Sequence, residues 1–260
     1  MLRNSFIFLE RVNKKKEMSI WEQGVSTWDD FISCDEIDGI SSFRKKVYDR
    51  ELMKPKDALF RQDLAYFVSR MPTTEMWRLY GDFSDSCVFL DIETGYYRND
   101  VVLVGLYDGE ETVQLLQGKN LSGEVLHGFL SRFSLLITFN GSSFDIPVLK
   151  KRFREYIPRM PHVDLKHLCI SIGLSGGLKN IEKELGFERD YSDFFSDAII
   201  AESPVMLWDA WSNTGEDKYL EMLLRYNRYD IENLKGILDI CYEKRKDDLN
   251  SRIVRSAYSL

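Results

Sequence analysis

The chain has 260 residues, 44% of them hydrophobic and 13% aromatic, enough for one sizeable core and a smaller second unit. No apolar run approaches the length of a membrane span, and the basic start Met1-Leu2-Arg3 leads into no signal-peptide pattern, so a soluble, cytoplasmic protein without a membrane partner is predicted. The formal net charge of -7 is uneven: up to residue 80 there are 14 basic against 13 acidic side chains, and beyond it 21 against 29, which is not the usual footprint of a nucleic-acid binder.

Residues 1–80 read as mostly helical. Trp21, Gly24, Val25, Trp28 and Phe31 gather about a turn at Gln23-Gly24. Ser41 or Ser42 is placed to cap a helix through residues 43–47, and 57–69 reads as another helix. The stretch 11–31 resembles a helix-hairpin-helix element. It lacks the paired glycines that let backbone approach a phosphate, with Val12-Asn13-Lys14 in their place. A helical appendage over residues 1–82 is therefore expected, with nucleic-acid contact as the lesser reading.

The pattern changes near Asp85. Strands are predicted over 87–93, 101–107 and 112–117, joined by short turns at 96–100 and Asp108-Gly109, a spacing that suits antiparallel neighbours. Val125, Leu126, Phe129, Leu130 and Phe133 then recur at helical spacing. A strand over 135–139, a turn at Asn140-Gly141, a helix over 143–154 and a strand over 162–168 follow. The remainder is largely helical, with one strong helix over 219–244. This order predicts an α/β domain over 83–260, a mixed sheet of five strands flanked by helices. The cysteines, Cys34, Cys87, Cys169 and Cys241, lie far apart without a CxxC pair, which argues against a zinc site and a disulfide framework.

Three stretches carry chemistry. In CVFLDIETG, residues 87–95, Asp91 and Glu93 alternate with apolar strand formers and so point to one face. Two like charges there are costly unless a cation compensates them or both reach water at a strand end. In TFNGSSFDIPVL, residues 138–149, Asp145 opens a helix, where capping is the ordinary reading. In RYNRYDIENL, residues 225–234, Tyr226 and Asp230 are four apart on a helix and share a face.

Together these stretches resemble the three motifs of the DEDD-type 3′–5′ exonucleases of the ribonuclease H-like superfamily. Asp91-Ile92-Glu93 matches the first motif; Asn140, Phe144, Asp145 and Pro147 match the second; Tyr226 and Asp230 match the third. The resemblance covers residues 85–245 or so. It is nearest the YprB-type predicted exonucleases, on the Tyr-Asn-x-x-Asp form of the third motif and the strand beginning His162-Val163-Asp164-Leu165. It implies a ribonuclease H-like fold and two divalent ions, Mg²⁺ or Mn²⁺, held by Asp91, Glu93, Asp145 and Asp230. Hard ions of that kind prefer carboxylate oxygens.

The resemblance further implies that Asp91 bridges both ions, that Glu93 and Asp230 complete the site of the ion carrying the nucleophile, and that Asp145 serves the second. Tyr226 marks the Tyr branch. The position where a His branch would place its base is Arg225, which cannot act as one. The Tyr226 hydroxyl would orient the attacking water, and Thr94, Asn140 and Phe144 would contact the terminal nucleotides. The implied partner is the 3′ end of a single-stranded nucleic acid, with DNA favoured over RNA. The rival readings are a ribonuclease H-like endonuclease or resolvase and a catalytically silent nucleic-acid-binding module. The oligomeric state and any repair or replication partner stay open.

Overall fold

The computed structural model describes residues 1–97, 100–191 and 203–257, and short polar side chains mark where its N-terminal helices begin. Asn13 accepts the Lys16 N–H at the head of α1 (Lys14–Trp21). Thr27 and Asp30 form a reciprocal capping box on α2 (Trp28–Ser33). Of the two cap candidates for α3 (Ser42–Phe60), Ser41 is the one used. The separate helix expected over 57–69 does not form. Instead α3 runs through Pro55 to Phe60, because the ring of Pro55 is buried on the same side as Leu52 and Leu59 and its lost hydrogen bond is tolerated. The break comes at Gln62, whose φ is +56°, and Asp63 then caps α4 (Leu64–Val68). A short α5 (Tyr80–Phe83) follows.

By its contacts the chain divides into Met1–Ser84 together with the residues from Cys241 on, and Asp85–Ile240. The first unit has a core of Phe6, Ile20, Trp21, Phe31, Leu52 and Phe67, with a buried ion cluster beside it. Arg78, 2% exposed, donates to Glu17 through two nitrogens at 2.9 Å each, to Glu75 at 2.8 Å and to Ser5 at 2.8 Å. Val12 is buried and Asn13 already occupies the N-terminus of α1, so both stand where the glycines of a helix-hairpin-helix would.

The second unit is built on β1 (Cys87–Thr94), β2 (Val101–Tyr107), β3 (Thr112–Leu116), β4 (Leu135–Thr138) and β5 (His162–Asp164). The sheet order is β3-β2-β1-β4-β5. The first three strands pair antiparallel, and β4 and β5 add parallel. This is the mixed five-stranded sheet that the spacing predicted. The turn expected over 96–100 includes residues 98 and 99, which lie outside the described residues. The strand expected over 162–168 stops at Asp164, because the Asp164 carboxylate accepts the Lys166 N–H and starts α8 (Leu165–Ser171).

Helices cover both faces of this sheet. Val88, Leu90 and Ile92 face a core completed by Leu126 and Leu130 of α6 (Gly123–Leu130) and by Val148 and Leu149 of α7 (Asp145–Phe153). Val125, expected on that stripe, is 46% exposed. On the other face Leu103 and Leu116 meet Leu207 of α10 (Pro204–Thr214) and Leu220, Met222 and Leu223 of α11 (Asp217–Ala257). Between α8 and α10 lies α9 (Leu178–Leu185), closed by Gly186 in the left-handed conformation. Among the described residues no helix is long and apolar enough to cross a membrane. None of the four cysteines is in a disulfide.

Candidate active site

Alternation along β1 sends Leu90 and Ile92 into the core beneath α6 and α7, and Asp91 and Glu93 to the opposite face. Helix α11 lies over that face and brings Tyr226, Asn227 and Asp230 to it. Ligand-capable oxygens of Asp91, Glu93 and Asp230 all lie within 4.8 Å of one another. Glu93 and Asp230 are buried and Asp91 is half-buried, so most of this charge is withdrawn from bulk water.

Asp145 comes from a separate element and is not part of that trio. It is 2% exposed at the first turn of α7, and its Oδ1 accepts the N–H of Ile92, the residue between the two β1 acids, at 3.1 Å. The loop that delivers it is pinned at several points. Asp164 accepts the N–H groups of Asn140 at 2.8 Å and Ser142 at 3.1 Å, and the Ser142 hydroxyl donates to it as well. Gly141 donates to Thr138 Oγ1 at 3.1 Å, and a Cβ there would lie 2.1 Å from that oxygen. Asn140 sits at φ +61°, a conformation Asn tolerates. The sequence offered no role for Asp164; its place is under the second motif.

The electrostatics of the cluster are those of buried acids crowded together. Burial, then the neighbouring acids Asp230 and Glu93, pushes Asp91 well above the carboxylate range, and burial with Asp230 and Asp145 does the same to Glu93. Burial raises Asp145 to about 7 although backbone N–H groups oppose it. It raises Asp230 to about 6 although Arg189 opposes it. Tyr226 is pushed up by burial and by Asp230 and Glu93, so it stays a neutral phenol and a hydrogen-bond donor. Glu93 Oε1 is buried and has no hydrogen-bond partner. An orphaned carboxylate oxygen among converging carboxylates, all hard donors, suits a divalent cation such as Mg²⁺ or Mn²⁺.

Arg189 contributes a cation that no motif announced. Its guanidinium donates to Glu182 at 2.8 and 2.7 Å and is ion-paired with Asp230, while Asn233 donates to Glu182 at 2.9 Å. Arg189 and Lys179 also lie over the Tyr226 ring, 5.4 and 4.8 Å from its centroid. Arg189 follows Gly186 in a segment without periodicity, so only the folded chain places it. Thr94 is half-buried at the end of β1, beyond a bulge in the ladder to β2. Phe144 packs against the apolar cluster beneath α7, and the Asn140 Oδ1 accepts from Lys166 at 3.2 Å.

Residues 88–242 match the family model of the RNase_H superfamily, more than half of the chain and all of the motif residues above. The chain belongs to the RNase_H superfamily. No curated protein matches it. For a member of this superfamily, the mixed sheet with acids on its first strand and on a late helix suggests nuclease-type hydrolysis supported by divalent ions, which its buried acids suit.

Proposed function

We propose that this RNase H-like protein is a 3′–5′ exonuclease of the Tyr branch of the DEDD type, near the YprB-type predicted exonucleases. It would hydrolyse phosphodiester bonds at the 3′ end of single-stranded nucleic acid, DNA in preference to RNA, and release nucleoside 5′-monophosphates. The observation that carries the reading is the meeting of Asp91, Glu93 and Asp230 around the orphaned Glu93 Oε1, with Asp145 held against the same strand. A cytoplasmic location belongs to the same proposal.

Asp91, Glu93 and Asp230 would hold the divalent ions, with Asp145 beside them. Bound divalent ions would supply an acidified water and neutralise charge on the phosphate. The chain's own groups do the rest. The neutral Tyr226 hydroxyl donates a hydrogen bond that orients the attacking water; its raised pKa removes it as a base. Arg189 places positive charge beside Asp230 and the face of Tyr226. Thr94 and Asn140 would contact the terminal nucleotide, with Phe144 shaping the wall behind it.

The test uses single-stranded DNA and a matching RNA labelled at the 5′ end, with Mn²⁺ or Mg²⁺. The native chain is expected to shorten the DNA, faster than the RNA, a nucleotide at a time from the 3′ end. Asp91→Ala should abolish this, and Tyr226→Phe should slow it about 10²-fold or more. Discrete internal cuts would replace the exonuclease by an endonuclease, and absence of cleavage with either metal would leave a binding module.

A further inference from the structure

One fully buried amide reaches the site from behind. Asn227, next to Tyr226 on α11, donates from Nδ2 to Asp91 Oδ2 at 3.1 Å and is 0% exposed. Its Oδ1 accepts from Gln114 Nε2 of β3 at 3.1 Å, and the same Gln114 nitrogen donates to the Leu224 carbonyl at 2.7 Å. Gly105 of β2 lies directly opposite Asp91 in the ladder, and a Cβ there would sit 2.1 Å from Asn227 Oδ1. Two strands and a helix therefore make room for a single side chain and fix it.

We propose that Gln114 and Asn227 are positioning residues that set the orientation of Asp91 for metal binding; the proposal rests on the two-ion reading above. An Asn amide can present either its donor or its acceptor edge. Gln114 is a donor at this contact, so the Asn227 oxygen is committed to it and the NH₂ is turned to Asp91. Without that donor, the Asn227 oxygen is free to turn towards Asp91 and repel it. With it, one Asp91 oxygen is tied to the protein while the carboxylate keeps lone pairs for ions. The Leu224 carbonyl fixes the Gln114 amide in turn. Such outer partners of a ligating carboxylate commonly govern metal affinity by 10–100-fold.

The test is Mn²⁺ binding by calorimetry without nucleic acid, on the native chain, Asn227→Leu, Gln114→Met and the double variant, with melting temperatures alongside. Gln114 borders a surface cavity of about 270 Å³ with Glu221, Leu224, Arg225 and Arg228, so its replacement has room and the fold should survive. Asn227→Leu is expected to weaken Mn²⁺ binding at least about tenfold. Gln114→Met should weaken it about fivefold. The double variant should match Asn227→Leu within about twofold, because Gln114 acts only through Asn227. Independent, multiplying effects would overturn the relay. Unchanged affinity in a folded Gln114→Met chain would overturn it while leaving the exonuclease reading intact. A native chain that binds no Mn²⁺ would overturn both.

Discussion

Asp91, Glu93, Asp145 and Asp230 each take up protons more readily than free carboxyls, first because they are buried. A carboxyl whose pKa is raised on folding stabilises the fold fully below its unfolded pKa, and the contribution is lost as pH rises through the folded value. For Asp145 and Asp230 that window runs from about 4 up to about 7 and about 6. With metal chelated, the protein should therefore melt at a higher temperature at pH 5 than at pH 7.5, by roughly 2–3 kcal/mol from Asp145 and about 1 kcal/mol from Asp230. Mn²⁺ should restore stability most at pH 7.5, where the carboxylates are forced to ionise. Thermal melts of the native chain and of Asp145→Asn/Asp230→Asn across this range check both points. A flat profile in EDTA, or an unaltered slope in the double variant, would remove burial as the cause of the raised carboxyls.

Among the elements, the loop between β4 and α7 decides where Asp145 stands. Its backbone is held by Asp164 from β5 and by Thr138 at its own start. The fit at Gly141 is tight enough that a methyl group must displace either the Thr138 side chain or the loop. Gly141→Ala should cost about 1–3 kcal/mol in urea denaturation and reduce cleavage with it, since Asp145 leaves the N–H of Ile92. Native stability and full activity in that variant would show that the loop position is not what places Asp145. The Asn140-Gly141 pair was legible as a turn. That Asp164 would end β5 early and hold this turn was not, because its partners are backbone N–H groups 22 and 24 residues away.

At the scale of the molecule, α11 belongs to the sheet-bearing unit as far as Ile240 and to the N-terminal unit from Cys241. Within the N-terminal unit Tyr242 meets Trp77 and Tyr80 edge-on, and Cys241 and Leu249 are buried. A fragment of residues 85–260 should thus expose apolar surface on the end of α11 and self-associate, whereas 85–240 should remain monomeric and folded. Size-exclusion chromatography of the two decides; equal behaviour would mean that this stretch of helix needs no cover. The sequence by itself determined the first four strands, the shared face of Asp91 and Glu93, and the residue types of the three motifs, because strand alternation and local turn chemistry are written in neighbouring residues. Only the tertiary structure decided that Arg189 would pair with Asp230, that Asn227 would meet Asp91 from 136 positions away, and that Gly105 would leave space for it. Those contacts join segments whose approach is set by how helices pack on a sheet, and no local pattern encodes that.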